Sequence, residues 1–150
     1  MQFYEDMPIG MSTESSATHT FTSDEIKSFA STWDPMPFHL DEEVAKQSPI
    51  GALFASSIHT IAAGIKLTHT CMNEEVAAIA ALGWSDVRFP KPVFAGDSVR
   101  IRSAVIDKRE SQSKPDRGII TTQNTIINQH NETVAEYKIF TLVLKENTNI

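Results

Sequence analysis

The stretch Ser57-Ile58-His59-Thr60-Ile61-Ala62-Ala63-Gly64-Ile65-Lys66-Leu67-Thr68-His69-Thr70-Cys71-Met72 is the most helical part of the chain. Ile58, Ile61, Ala62, Ile65 and Met72 fall on one stripe at helical spacing, and Ala63, Leu67 and Cys71 add apolar character on other faces. A helix apolar on more than one side is predicted to be buried. Gly64 weakens it slightly and permits close packing. Downstream of it, everything reads as strand. Residues Ala77 to Phe89 are rich in Ala, Ile, Val and aromatics, and Pro90, Pro92 and Gly96-Asp97 interrupt and turn the chain. Val99, Ile101 and Val105 mostly alternate with Arg100, Arg102 and Ala104, a period-2 pattern with one wet face. After a turn at Lys114-Pro115-Asp116-Arg117-Gly118, two long strands are predicted over Ile119 to Asn128 and Thr133 to Leu144. One buried helix followed by several long antiparallel strands implies an α+β layout with the sheet wrapped around the helix.

Upstream, Ser12 to Ser16 reads as loop and Thr18 to Phe21 as a short strand. Thr22-Ser23-Asp24-Glu25 has the pattern of a capping box, with the Thr22 hydroxyl on the Glu25 N–H and the Glu25 side chain reaching back. The helix it opens carries Ile26, Phe29 and Ala30 on its apolar face. It must end near Trp33, because Asp34 precedes Pro35 and is pushed out of the α region. Asp34 to His39 contains two prolines at alternate positions and is expected to be neither helix nor central strand. Asp41 is a good N-cap for a second short helix, which Ser48-Pro49-Ile50-Gly51 breaks.

A chain of 150 residues fits one domain spanning residues 1–150, with an ordinary core. Its net charge of −6 argues against general nucleic-acid binding. Cys71 is the single cysteine, so no internal disulfide forms, which fits a reducing cytoplasm. Met1 to Thr20 lacks the basic start and apolar run of a secretory signal, and no apolar run approaches bilayer length. The expectation is a soluble, cytoplasmic protein that does not engage membranes. The five histidines lack metal-site spacing such as His-Glu-x-x-His, and no phosphate-binding glycine loop is present. No metal and no separate cofactor are therefore expected.

The chemistry concentrates at Asp34 and His39, five residues apart on a proline-stiffened path. A carboxylate and an imidazole held by rigid backbone are suited to handling water and its protons. On spacing alone, a capping aspartate and a packed histidine explain the pair more economically. The context adds more. Trp33-Asp34-Pro35-Met36-Pro37-Phe38-His39-Leu40-Asp41 resembles the Asp-x-Asn-Pro-x-His-x-Asp signature of MaoC-like, R-specific enoyl-CoA hydratases. Ala55-Ser56-Ser57-Ile58-His59-Thr60 is similar to the Ala-Ser-Gly-Trp-His-Thr variant that some of these proteins carry where the hydratases have His-Gly. Val87-Arg88-Phe89, Pro92-Val93 and Gly96-Asp97 follow the family's strand-turn-strand pattern, and Phe3-Tyr4-Glu5-Asp6 with Ile9-Gly10 its lead-in.

That resemblance implies a hot-dog fold, a long central helix wrapped by a curved antiparallel sheet, paired as a homodimer or a dimer of dimers. It implies an acyl-CoA thioester substrate, with coenzyme A entering as part of it. Asp34 and His39 would correspond to the dyad that holds the water added across, or removed from, the 2,3 bond. Ser57 aligns with the glycine whose backbone N–H receives the developing thioester oxyanion, and Pro37, Phe38, Ser56 and His59 would lie on the substrate side. Met36 stands in place of the signature's Asn, and Ser56-Ser57 in place of His-Gly. Ser57 would be strained if the position requires positive φ. Two rival readings share the same residues. A hot-dog thioesterase would direct the water at the carbonyl carbon and release free thiol. A non-catalytic acyl-CoA-binding module would bind without turnover. Arg88, Lys91, Arg100 and Arg102 read either as contacts to CoA phosphates or as solvated strand charges.

Overall fold

The computed structural model describes residues 1–146. A 3-10 turn at Tyr4–Asp6 leads into β1 (Ser12–Glu14) and β2 (His19–Thr20). Three helices follow: α1 (Ser23–Trp33), α2 (Pro37–Leu40) and α3 (Glu42–Gln47). Then come α4 (Ser57–Thr68) and four long strands: β3 (Ala78–Arg88), β4 (Ser98–Glu110), β5 (Arg117–Asn128) and β6 (Thr133–Leu144). All six strands form one antiparallel sheet in the order β1-β4-β5-β6-β3, with β2 also paired to β4. The layout is the α+β hot-dog arrangement, with α4 against the sheet.

The buried face of α4 is His59, Thr60, Ala63, Gly64 and Leu67. This differs from the stripe predicted by hydrophobic spacing. Ile58 is 56% exposed and Ile65 39%, and the helix stops at Thr68, short of Met72. The reason is proximity to the sheet. A Cβ on Gly64 would lie 2.4 Å from Ile126 Cδ1 on β5 and 3.0 Å from the Tyr137 hydroxyl on β6. Only glycine fits at that point of closest approach, so the face that carries Gly64 turns inward and Ile58 and Ile65 turn outward. His69 is an exposed C-cap residue.

Three further elements differ from expectation. Ser12 to Ser16 is not all loop: Ser12–Glu14 pairs with Arg102–Ala104 as β1. Pro37–Leu40 makes one helical turn despite its prolines, because Pro37 sits at the first helical position, where its missing N–H has no partner to lose. The Thr22 cap forms, with its hydroxyl accepting from the Glu25 N–H at 3.1 Å, but the Glu25 side chain leaves the box and turns to two histidines. The Asp41 cap forms as predicted, its Oδ1 accepting from the N–H groups of Glu43 and Val44. No helix of the described chain is long and apolar enough to cross a membrane.

Candidate active site

Asp34 is the C-cap of α1. Pro35 bars it from helical backbone, and it sits at φ −154°, ψ 70° with its N–H still donating to the Ala30 carbonyl at 2.9 Å. The α1 terminus therefore fixes where the carboxylate begins. The helical turn α2 then carries His39 back toward it, and the His39 N–H donates to the Met36 carbonyl at 2.9 Å. His39 is buried, packed edge-on against Phe38 and Phe54, whose rings stack on each other at 5.4 Å. Pro37 stays exposed at the start of this turn.

The segment before α4 supplies the third wall. Residues 53–55 run extended beside 93–95, with the Ala55 N–H on the Val93 carbonyl and the Ala95 N–H on the Leu53 carbonyl. This holds the Phe54 carbonyl 2.7 Å from His39 Nδ1. A carbonyl only accepts, so Nδ1 carries the hydrogen and a neutral ring presents the Nε2 lone pair. That Nε2 lies 3.6 Å from Asp34 Oδ2, too far for a direct hydrogen bond. Oδ2 is meanwhile held by the fully buried Ser56 hydroxyl, which donates to it at 2.6 Å. The arrangement is two fixed acceptors side by side: one carboxylate oxygen and one imidazole nitrogen. A water molecule beside them has one O–H for each.

Ser57 opens α4, and its backbone N–H is among the first-turn donors that a helix leaves without intrahelical acceptors. Asp86 and Asn131 are the non-glycine residues with positive φ among the described residues, so Ser57 adopts its place without left-handed strain. It is exposed, one residue from the Ser56 that holds Asp34. Asp34, His39 and Ser56 thus meet at one place, with Phe38 packed on His39 and Ser57 following Ser56 in the chain. His59 does not join them. Its ring is buried, stacked on Phe29 at 4.3 Å, with Nε2 turned to Glu25 Oε1 at 3.2 Å.

Glu25 and His19 were not singled out by the sequence reading. Glu25 Oε1 also receives His19 Nε2 at 2.7 Å. Burial alone would raise the Glu25 pKa, but hydrogen bonds from His59 and His19 outweigh it and hold the carboxyl below its ordinary value. Burial pushes the His59 imidazole down, only partly opposed by the Glu25 hydrogen bond, which favours the neutral ring. The donor atoms of His19, Glu25 and His59 lie within 4.8 Å of one another, the spacing of a metal-ligand set, and here they are engaged with each other. A separate cavity of about 530 Å³, bordered by Met7, Met11, Cys71, Met72 and Val143, includes neither member of the dyad. Burial raises the Cys71 thiol pKa there, which suits a packed residue rather than a nucleophile.

Comparisons with known proteins bear on the family and the fold. The family described as MaoC like domain matches residues 5–127. The crystal structure of the MaoC-like dehydratase from Rhodospirillum rubrum superposes with a TM-score of 0.91 at 35% identity, covering 98% of this chain and 99% of that one. The uncharacterized protein YdeM of Bacillus subtilis is 29% identical over 124 residues, covering 81% of this chain and 85% of its own length. Beta-methylmalyl-CoA dehydratase of Chloroflexus aurantiacus is 25% identical over 147 residues, 98% of this chain, but the chain spans only 41% of that protein. With a family match over residues 5–127 and a likeness to the Rhodospirillum rubrum dehydratase along nearly its whole length, the chain belongs to the MaoC-like hydratase/dehydratase family.

Proposed function

We propose that this protein hydrates 2-enoyl-CoA thioesters, or dehydrates the corresponding 3-hydroxyacyl-CoA, at Asp34 and His39. The observation that carries the reading is the pair of acceptors, Asp34 Oδ2 and His39 Nε2, 3.6 Å apart and each fixed by its own hydrogen bond. Such a pair orients a water by both of its O–H groups. As the water oxygen adds to C3 of the enoyl thioester, one water proton passes to the dyad and the dyad returns one to C2. The two groups act as a coupled pair, so a pH profile reports them jointly. Charge builds on the thioester oxygen, and the Ser57 N–H at the positive end of α4 is the donor placed to receive it. Ser56 then serves to aim Asp34, while Pro37 and Phe38 border the entry of the acyl group.

A homodimer fits the same reading. Strand β3 lies at a sheet edge and exposes Ile79, Leu82, Trp84 and Val87. An unpaired, apolar edge is a template for pairing with another strand, and the outward Ile58 and Ile65 of α4 add to the uncovered apolar surface. Light scattering on the purified protein is expected to give twice the chain mass.

The activity is tested by following the ultraviolet absorbance of the conjugated enoyl thioester with crotonyl-CoA and longer 2-enoyl-CoAs. Loss of absorbance without thiol release is the expected result. Thiol release would assign a thioesterase, and binding without turnover across the panel would assign a non-catalytic acyl-CoA module.

A further inference from the structure

His59 is buried with its side chain 5% exposed, and its ring packs against α1 and the Phe21 that precedes it, while Nδ1 has no hydrogen-bond partner. Its ring lies flat on Phe29 at 4.3 Å and 7°, meets Phe21 edge-on at 4.8 Å, and directs Nε2 to Glu25. Glu25 and Phe29 are one turn apart on the same face of α1. His19 on β2 holds the same Glu25 oxygen from the other side. Three residues earlier on α4's N-terminal side, Ser56 holds Asp34 at the far end of α1. The two helices therefore meet at two points: Asp34 with Ser56, and Glu25 and Phe29 with His59. Ile26 and Ala30 bury the apolar face of α1 in the core, and these two polar contacts fix its angle against α4.

We infer that His59 and Glu25 are positioning residues for the reaction. Together they lock the angle of α1 against α4, and so set the distance between the Asp34 carboxylate at the end of α1 and the Ser57 N–H at the start of α4. The inference rests on the hydratase reading only for its kinetic readout. The water must sit on the dyad while the oxyanion sits on Ser57, so the span between those groups has to match the thioester. A misplacement of about 1 Å is enough to cost on the order of 100-fold in rate. Substrate affinity depends on the whole thioester and is little affected, so the loss falls on kcat rather than KM.

The test uses the full chain with His59→Leu, which keeps a buried apolar side chain without the N–H, and His59→Gln, whose amide N–H extends toward Glu25. Circular dichroism first establishes that both remain folded at the assay temperature. The expected result is a kcat about 100-fold lower in His59→Leu at nearly unchanged KM, with most of it regained in His59→Gln. Glu25→Leu, which leaves the Phe29 stack in place, is expected to lose no more than His59→Leu, and the double variant to lose no more than His59→Leu alone, since both remove the same hydrogen bond. Unchanged kcat in His59→Leu, equal damage in His59→Gln, or additive losses in the double variant would each overturn the inference. A second readout is independent of the reaction. With 15N-labelled histidine, His59→Leu is expected to shift the His39 ring resonances although the two rings are not in contact. Unmoved His39 resonances would overturn the inference whether or not the wild-type protein hydrates enoyl-CoA, and absent hydration with moved resonances would count against the proposed function alone.

Discussion

Replacing Ser56 by Ala removes one oxygen atom from a fully buried position and with it the O–H that donates to Asp34 Oδ2 at 2.6 Å. A hydrogen bond to a charged group is worth a net of about 1.5–3 kcal/mol. Asp34 keeps 31% of its side chain exposed, so water can take over the vacated lone pair, and the cost should fall at the lower end, about 1.5 kcal/mol. For a domain of this size that is a drop in Tm of roughly 3–6 °C. The kinetic effect has a separate origin. Without the hydroxyl, the carboxylate is free to rotate away from His39 Nε2, and the water is no longer held by two fixed acceptors. If the lost orientation is felt in the transition state at the same magnitude, the rate falls about 10-fold. Thermal melting by circular dichroism reads the first effect and initial rates of enoyl-CoA hydration the second. A variant with wild-type Tm and wild-type kcat would refute the claim that Ser56 aims Asp34. A variant destabilised but fully active would confine Ser56 to a structural role.

Gly64→Ala is expected to destabilise the fold even though alanine favours helix. The propensity gain is about 1 kcal/mol, but the new Cβ would lie 2.4 Å from Ile126 Cδ1 in a site where Ile126 is wholly buried, and overpacking costs about 1–3 kcal/mol; a raised Tm would show that the helix stands farther from the sheet. Tyr137→Phe removes a buried hydroxyl that has no hydrogen-bond partner and is expected to stabilise by about 1 kcal/mol in urea unfolding; a loss of stability would mean that the hydroxyl is satisfied. Acid is expected to weaken the fold in two stages. His59 has a folded pKa below its usual 6.5, so the unfolded chain binds the proton first and stability falls as pH drops below about 6.5. Glu25 has a folded pKa below its usual 4.5, so its contribution, present above that value, is lost as pH drops further. Melting temperature against pH checks both stages, and His59→Leu should remove the first; a first stage persisting in that variant would assign it to another group.

Much of the fold was legible in local chemistry. Thr22 and Asp41 carry side chains that only make sense as caps, Asp34-Pro35 must stop a helix, and the alternation after Gly96-Asp97 reads directly as strand. The orientation of α4 was not legible. Hydrophobic spacing selects Ile58 and Ile65, whereas the close approach of the sheet at Gly64 turns the face of Thr60, Ala63, Gly64 and Leu67 inward. Periodicity measures apolarity and carries no information on how near the partner surface comes. The helical turn at Pro37 was obscured because proline permits the first helical position while forbidding later ones. At the site, Asp34 and His39 stood out by residue type and rigid spacing. Glu25 was hidden because its local pattern satisfies a capping box; its engagement with His59, 34 residues away, arises from the packing of α1 on α4, and that with His19 from the turn between β2 and α1.

The most direct test of the central claim compares wild-type protein with Asp34→Asn in the ultraviolet enoyl-thioester assay. The substitution keeps the shape of the side chain and can keep an acceptor for the Ser56 hydroxyl, while removing the carboxylate that shares the water with His39. The account predicts loss of enoyl absorbance with wild type and none above background with Asp34→Asn, at unchanged fold and assembly. Full turnover by Asp34→Asn would contradict it.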